Sequence, residues 1–274
     1  MNEINKYTYY TADVFTDQPF HGVALPVFTD ASGLTDIQMQ NISSEIYATS
    51  TVFLYPTKAF NEWEVRVFNK EQEISSSIHT IQAASYVLAQ TGAVNLETEH
   101  TMITIVSNLK GHEQVIESYI SKKECGNADI IQQTYNTHAA IDYYTPTNEE
   151  LAAMLSLSPA DIGFDHYRPL IVSCGVPYLV VPIMSYTAIR EAKFNEAAWS
   201  NSSAPMSLAQ EILLFANNTD DNPADFHARL LGPAIAHHED PPIGGAISAF
   251  ANHICDHPHV QAGTHVFGIQ RGAN

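Results

Sequence analysis

The hydrophobic pattern switches repeatedly between a period of two and a period near three and a half. Residues 6–15, KYTYYTADVF, mix aromatic and β-branched side chains and predict a strand. TDIQMQNISSEIY (35–47) has helical spacing, and Thr35 with Gln38 gives it a capping-box start. TVFLY (51–55) and WEVRVF (63–68) return to strand patterning. HTIQAASYVLAQTG (79–92) predicts a helix with glycine just past its end. TMITIV (101–106) and EQVIESYI (113–120) are strand-like, and residues 121–146 are so weakly periodic that they are expected to hold a crossing between two halves.

The order then starts again. TNEELAAMLSL (147–157) opens on a second capping box, Thr147 with Glu150. RPLIVS (168–173) and PYLVVPI (177–183) predict apolar strands, and SYTAIREAKFNEAAW (185–199) a helix. EILLFAN (211–217) and FHARLLG (226–232) predict strands, GGAISAFANHI (244–254) the last helix and THVFGIQ (264–270) the last strand. Both halves run from strands through a short polar loop into a buried, alanine-rich helix: EISSSIHTIQAASYVLAQ (73–90) and EDPPIGGAISAFANHI (239–254). Each loop sets a titratable group beside small residues. A helix N-terminus offers unpaired N–H groups and the positive end of the dipole, so two such ends facing one cleft would hold an anion, most naturally a carboxylate.

Composition narrows the function classes. With 274 residues, 45% of them apolar, the chain can bury the core of one large or two ordinary domains. Thirty acids against 12 Lys and Arg give a net charge of −18, which argues against a nucleic-acid partner. The longest apolar runs, such as PYLVVPIM (177–184), are too short to cross a bilayer, and the N-terminus lacks a signal-peptide pattern. Cys125, Cys174 and Cys255 form no CxxC pair and read as free thiols in a reducing cytoplasm. HICDHPH (253–259) gathers His253, Cys255, His257 and His259, yet this spacing fits no standard zinc pattern, so no metal is expected. His237 and His238 read either as acid/base groups or as a solvated loop.

Four stretches together resemble the phenazine-biosynthesis PhzF-like family, which shares its fold with diaminopimelate epimerase. They are DVFTDQPFHGVALPVF (13–28), EISSSIHTIQAAS (73–85), CGVPYLVVPI (174–183) and HARLLGPAIAHHEDPPIGGAISAF (227–250), in register along nearly the whole chain. The resemblance implies an α+β fold of two pseudo-symmetric halves, 1–125 and 126–274. Each would be a curved mixed sheet around a central helix, with the cleft between them. It further implies a homodimer and cofactor-independent proton transfer between carbons of a small carboxylate-bearing biosynthetic intermediate. His79 matches the family histidine and Asp240 the family aspartate; Ser77, Ile78, Gly244 and Gly245 fall at the substrate-binding loops. The family glutamate is replaced. In YATSTVFL (47–54) its position holds Ser50, while Glu45 matches a different acid. A serine shuttles no proton at neutral pH without an adjacent base. Other departures agree: IHT (78–80) stands for the family's Gly-His-Pro and IGG (243–245) for its Thr-Gly-Ser. Two functions follow as alternatives, an isomerase or cyclase-like enzyme and a non-catalytic ligand-binding relative. Asp240 also reads as a loop aspartate capping the next turn, and His79 as a satisfied polar group near an apolar face.

Overall fold

The computed structural model describes residues 6–16, 20–46, 48–96, 100–109, 111–122, 128–135, 139–218, 224–235, 241–258 and 260–272. The chain is α+β and divides into two compact units, Met1–Asn136 and Thr137–Asn274.

The first unit holds β1 (Tyr9–Val14), β2 (Val23–Phe28), α1 (Asp36–Ile46), β3 (Thr51–Pro56), β4 (Glu62–Phe68), β5 (Glu73–Ile74), α2 (Ile78–Gln90), β6 (His100–Leu109), β7 (His112–Lys122) and β8 (Ala128–Tyr135). One mixed sheet runs β1-β2-β3-β4-β6-β7-β8, with β5 on β4. The β2–β3 and β4–β6 pairs are parallel and the others antiparallel. Helix α2 touches β1 and β2 at one end of this order and β7 and β8 at the other, so the sheet curls around it. Its Ile81, Ala84 and Leu88 pack on Val27, Val52, Leu54, Ile103 and Ile105. The alternate residues Phe28 and Phe53 point to the opposite face, against Met39 of α1. The α1 start is the predicted box: the Thr35 N–H donates to Gln38 Oε1 (2.9 Å) and the Gln38 N–H to Thr35 Oγ1 (3.3 Å).

The second unit holds β9 (Ala140–Asp142), α3 (Asn148–Leu155), β10 (Leu170–Ser173), β11 (Pro177–Pro182), α4 (Tyr186–Glu191), α5 (Glu196–Ser200), β12 (Glu211–Asn217), β13 (Phe226–Leu231), α6 (Ile247–Cys255) and β14 (Ile269–Arg271). Its sheet runs β14-β13-β12-β11-β10-β9, with β11–β12 and β13–β14 parallel. Tyr178, Val180, Leu213 and Phe215 meet Ala249, Phe250 and Ile254 of α6. The intervening Leu179, Val181, Ile212 and Leu214 meet α3, α4 and α5. Among the described residues no helix is long and apolar enough to cross a membrane.

The boundary between the units, Asn136 to Thr137, falls within residues 121–146 as expected, and the same stretch also carries β8 and β9. A register shift between Tyr119 and Ile120 where β7 pairs β8, and the polar Gln132-Gln133-Thr134 in β8, hide the strand period. The helix expected over 185–199 is two short ones. Ala192 is extended (ψ 131°) and Asn195 caps α5 by accepting the Ala198 N–H at 3.1 Å. The buried Arg229 of β13 donates from Nη1 to the carbonyls of Ile189, Arg190 and Ala192 at 2.7, 3.0 and 3.1 Å, which fixes the break. The last strand is only Ile269–Arg271, and the last helix begins as a 3₁₀ turn, Gly244–Ala246.

Candidate functional site

His79 lies in the first turn of α2. Ser77 is the N-cap. Its N–H donates to Thr80 Oγ1 at 2.9 Å, and Thr80 Oγ1 donates back to the Ser77 carbonyl at 2.9 Å. The Ser77 hydroxyl Oγ lies 2.9 Å from His79 Nδ1 and 3.4 Å from Thr80 Oγ1. The imidazole is buried, with 9% of its surface exposed, and burial lowers its pKa to about 4. At neutral pH it is an uncharged ring in contact with a hydroxyl. The Phe15 ring sits 6.4 Å from the imidazole, and Phe15 itself adopts φ 61°, a backbone region that a bulky residue seldom enters.

The other first-unit residues sort clearly. Ser50 is buried just before β3, and among the described residues no hydrogen bond joins it to His79. Ile78 begins α2, between Ser77 and His79 in the chain. Glu45 is exposed. Glu73, the acid at the head of the first-half motif, is committed to structure. Arg66 grips it with Nε and Nη2, each at 2.7 Å, while its Nη1 holds Asp36 Oδ1 at 2.6 Å.

In the second unit, Gly244 and Gly245 form the 3₁₀ turn that leads into α6. A Cβ on Gly245 would come within 2.7 Å of Tyr178 Oη, so glycine is what lets this hydroxyl approach the backbone. Asp240, with His237, His238 and Glu239, lies outside the described residues, as do Cys125 and His259. Within the tail cluster, His253 is buried and its Nε2 lies 2.8 Å from the Arg168 carbonyl, while the His257 ring stacks 5.4 Å from His166. Among the described residues no three His, Cys, Asp or Glu side chains are grouped to hold a metal. Cys174 and Cys255 are free thiols.

Two titratable groups that the sequence did not single out stand in the second unit. Glu211, the first residue of β12, is half-buried, and that burial raises its pKa. Tyr178 pairs with it in the β11–β12 ladder, and burial and the Glu211 charge both raise the phenol pKa. The only sequence signal was an acid opening the otherwise apolar run EILLFAN.

The comparisons with known proteins agree on the fold. A crystal structure of a PhzF-family phenazine biosynthesis protein from Bacillus anthracis superposes with a TM-score of 0.76 at 20% identity, covering 96% of this chain and 87% of that one. A protein from Mesorhizobium japonicum, named an uncharacterized isomerase, is 26% identical over 90% of this chain and 80% of its own. The trans-2,3-dihydro-3-hydroxyanthranilate isomerase of Pseudomonas chlororaphis is 23% identical over 96% of this chain and 84% of its own. The family model described as phenazine biosynthesis-like protein, PhzC-PhzF, matches residues 12–274, and the chain therefore belongs to that family.

Proposed function

We propose that this chain is an isomerase that moves a proton between carbons of a small, carboxylate-bearing biosynthetic intermediate. The names of its relatives support the reaction class. The observation that carries the reading is the contact of Ser77 Oγ with His79 Nδ1 at 2.9 Å, at the start of the buried α2. The contact orients the imidazole, and an uncharged ring with one N–H and one bare nitrogen can pass a proton between its partners. Asp240, on the Glu-Asp-Pro motif, is assigned the second proton. Ser50 shapes the site by hydrogen bonding where the family has an acid. A proton shuttle moves no net electrons and calls for no redox cofactor.

The test uses trans-2,3-dihydro-3-hydroxyanthranilate, the compound in the name of the Pseudomonas chlororaphis relative, in deuterated water, followed by NMR. Turnover with deuterium uptake is expected. His79→Ala and Asp240→Asn should each lower the rate by about 10²–10⁴-fold with the fold intact. Full turnover in Asp240→Asn would remove Asp240 from the mechanism. Ser50 in place of an acid favours a second reading, a binding protein without chemistry; a ligand recovered unchanged, with Asp240→Asn altering only its affinity, would establish that one.

A further inference from the structure

The second unit carries a cavity that the proposed proton transfer does not use. It lies between the segment that leads into β10 and the end of α6, and its volume is about 390 Å³, within the range of small-molecule sites. Helix α6 itself separates it from the Gly244–Ala246 turn, by about 13 Å of helix axis. Leu170 and His253 are its buried lining. His253 Nε2 faces the Arg168 carbonyl at 2.8 Å. A carbonyl can accept but not donate, so the ring proton sits on Nε2 and ties α6 to the segment before β10. Burial holds the pKa of this imidazole below its ordinary value, so it is uncharged at neutral pH.

Flat rings line the rest. The His257 and His166 rings stack with centroids 5.4 Å apart and an interplanar angle of 28°, and the Tyr167 ring meets His257 edge-on at 5.3 Å. Beside them stand one cation and one anion, Arg168 and Asp256, both exposed. Both charges act on His253, yet they do not pair with each other: among the described residues the Arg168 guanidinium makes no ion pair or hydrogen bond. Arg66 and Arg229 differ, since each is tied down within the fold. Asp256 accepts the Tyr143 hydroxyl on Oδ2 at 3.0 Å, which orients the carboxylate.

These groups select a ligand. A flat ring suits the faces of Tyr167 and His257, a carboxylate matches the guanidinium, and an amine can donate to Asp256. A simple anion would bring its charge up to Asp256 as well as Arg168, and a simple cation would meet the reverse problem. A molecule carrying both groups gains at both residues. We propose that this cavity binds a small aromatic amino-carboxylate, with its carboxylate on Arg168, its amine on Asp256 and its ring against Tyr167 and His257. The site uses none of the residues assigned to proton transfer, and it stands whether or not the isomerase reading does.

The experiment titrates the full chain with L-phenylalanine and with anthranilate, which carry the amine on the side chain and on the ring respectively. The His166 and His257 ring signals are followed by ¹H–¹³C NMR, each assigned by its loss in His166→Gln or His257→Gln, and affinity is measured by calorimetry. At least one compound should shift both rings, and the tighter of the two identifies the source of the ligand. Phenylpropanoate and phenylethylamine, or benzoate and aniline, each lack one of the two groups and should bind at least about tenfold more weakly than the parent compound. Arg168→Met and Asp256→Asn should each weaken binding by about tenfold with an unchanged unfolding midpoint. No shift of either ring with either compound at millimolar concentration overturns the proposal. So does equal binding of the analogues that lack one group, or unchanged affinity in both variants. If a variant fails to fold, the analogue series on the unaltered chain decides.

Discussion

Acidification should destabilise this protein through His79 in a way that one substitution isolates. The imidazole has a pKa of about 4 in the folded chain against an ordinary value of 6.5, because burial disfavours its charged form. The folded value is depressed, so above pH 6.5 the residue is neutral in both states and contributes no pH dependence. As pH falls below 6.5 the unfolded chain binds a proton that the folded chain refuses, and stability drops until the folded ring also titrates, near pH 4. The whole shift corresponds to about 3 kcal/mol, of which about 2 kcal/mol is already lost by about pH 5. This is a sizeable part of the ~5–15 kcal/mol that holds an ordinary domain folded. Urea unfolding of the unaltered chain and of His79→Gln, at neutral pH and near pH 5, gives the effect as a difference of differences. Other titrating groups, including the buried His253, cancel between the two proteins. The unaltered chain should lose about 2 kcal/mol more than His79→Gln on going to about pH 5. Equal losses, or an NMR titration of His79 at its ordinary value, would refute the argument.

Two further substitutions check how the neighbouring groups are used. Gly245→Ala should cost about 1–3 kcal/mol by driving a methyl group into the Tyr178 hydroxyl, and Tyr178→Phe in the same chain should restore part of it; chemical denaturation of the four proteins of the cycle measures the coupling, and additive effects would show that the contact is not tight. Glu73→Gln should cost about 1 kcal/mol, since the Arg66 pair is bidentate but still partly exposed, and should leave deuterium uptake untouched; lost turnover at an unchanged unfolding midpoint would place Glu73 in the chemistry.

What could be read from the sequence was whatever is decided locally. The capping boxes at Thr35 and Thr147 involve residues three apart, and both form as predicted. The strand at 211–217 and the helix at 79–92 carry enough apolar residues to declare themselves. The break between α4 and α5 did not, because Arg229, which takes the carbonyls at the end of α4, arrives from a strand about forty residues on. The candidate residues follow the same division. Ser77 and His79 are two apart in the chain, and one helix start joins them. Glu211 reads in the sequence as the polar end of an apolar strand. Only the parallel pairing of β12 with β11 sets it beside Tyr178, and a pairing between strands about thirty residues apart leaves no mark on either one alone.

The serine at position 50 reads at first as a loss of chemistry. Proton transfer, however, needs groups whose affinities suit the working pH, and here burial rather than residue identity sets them. In water an imidazole holds its proton more tightly than a carboxyl group does. Burial disfavours charge on both, so it pushes His79 down, to about 4, and Glu211 up from 4.5. A serine hydroxyl ionises at no working pH, so position 50 itself offers no acid/base group, whereas the buried imidazole of His79 remains one whose charge state is set by its surroundings.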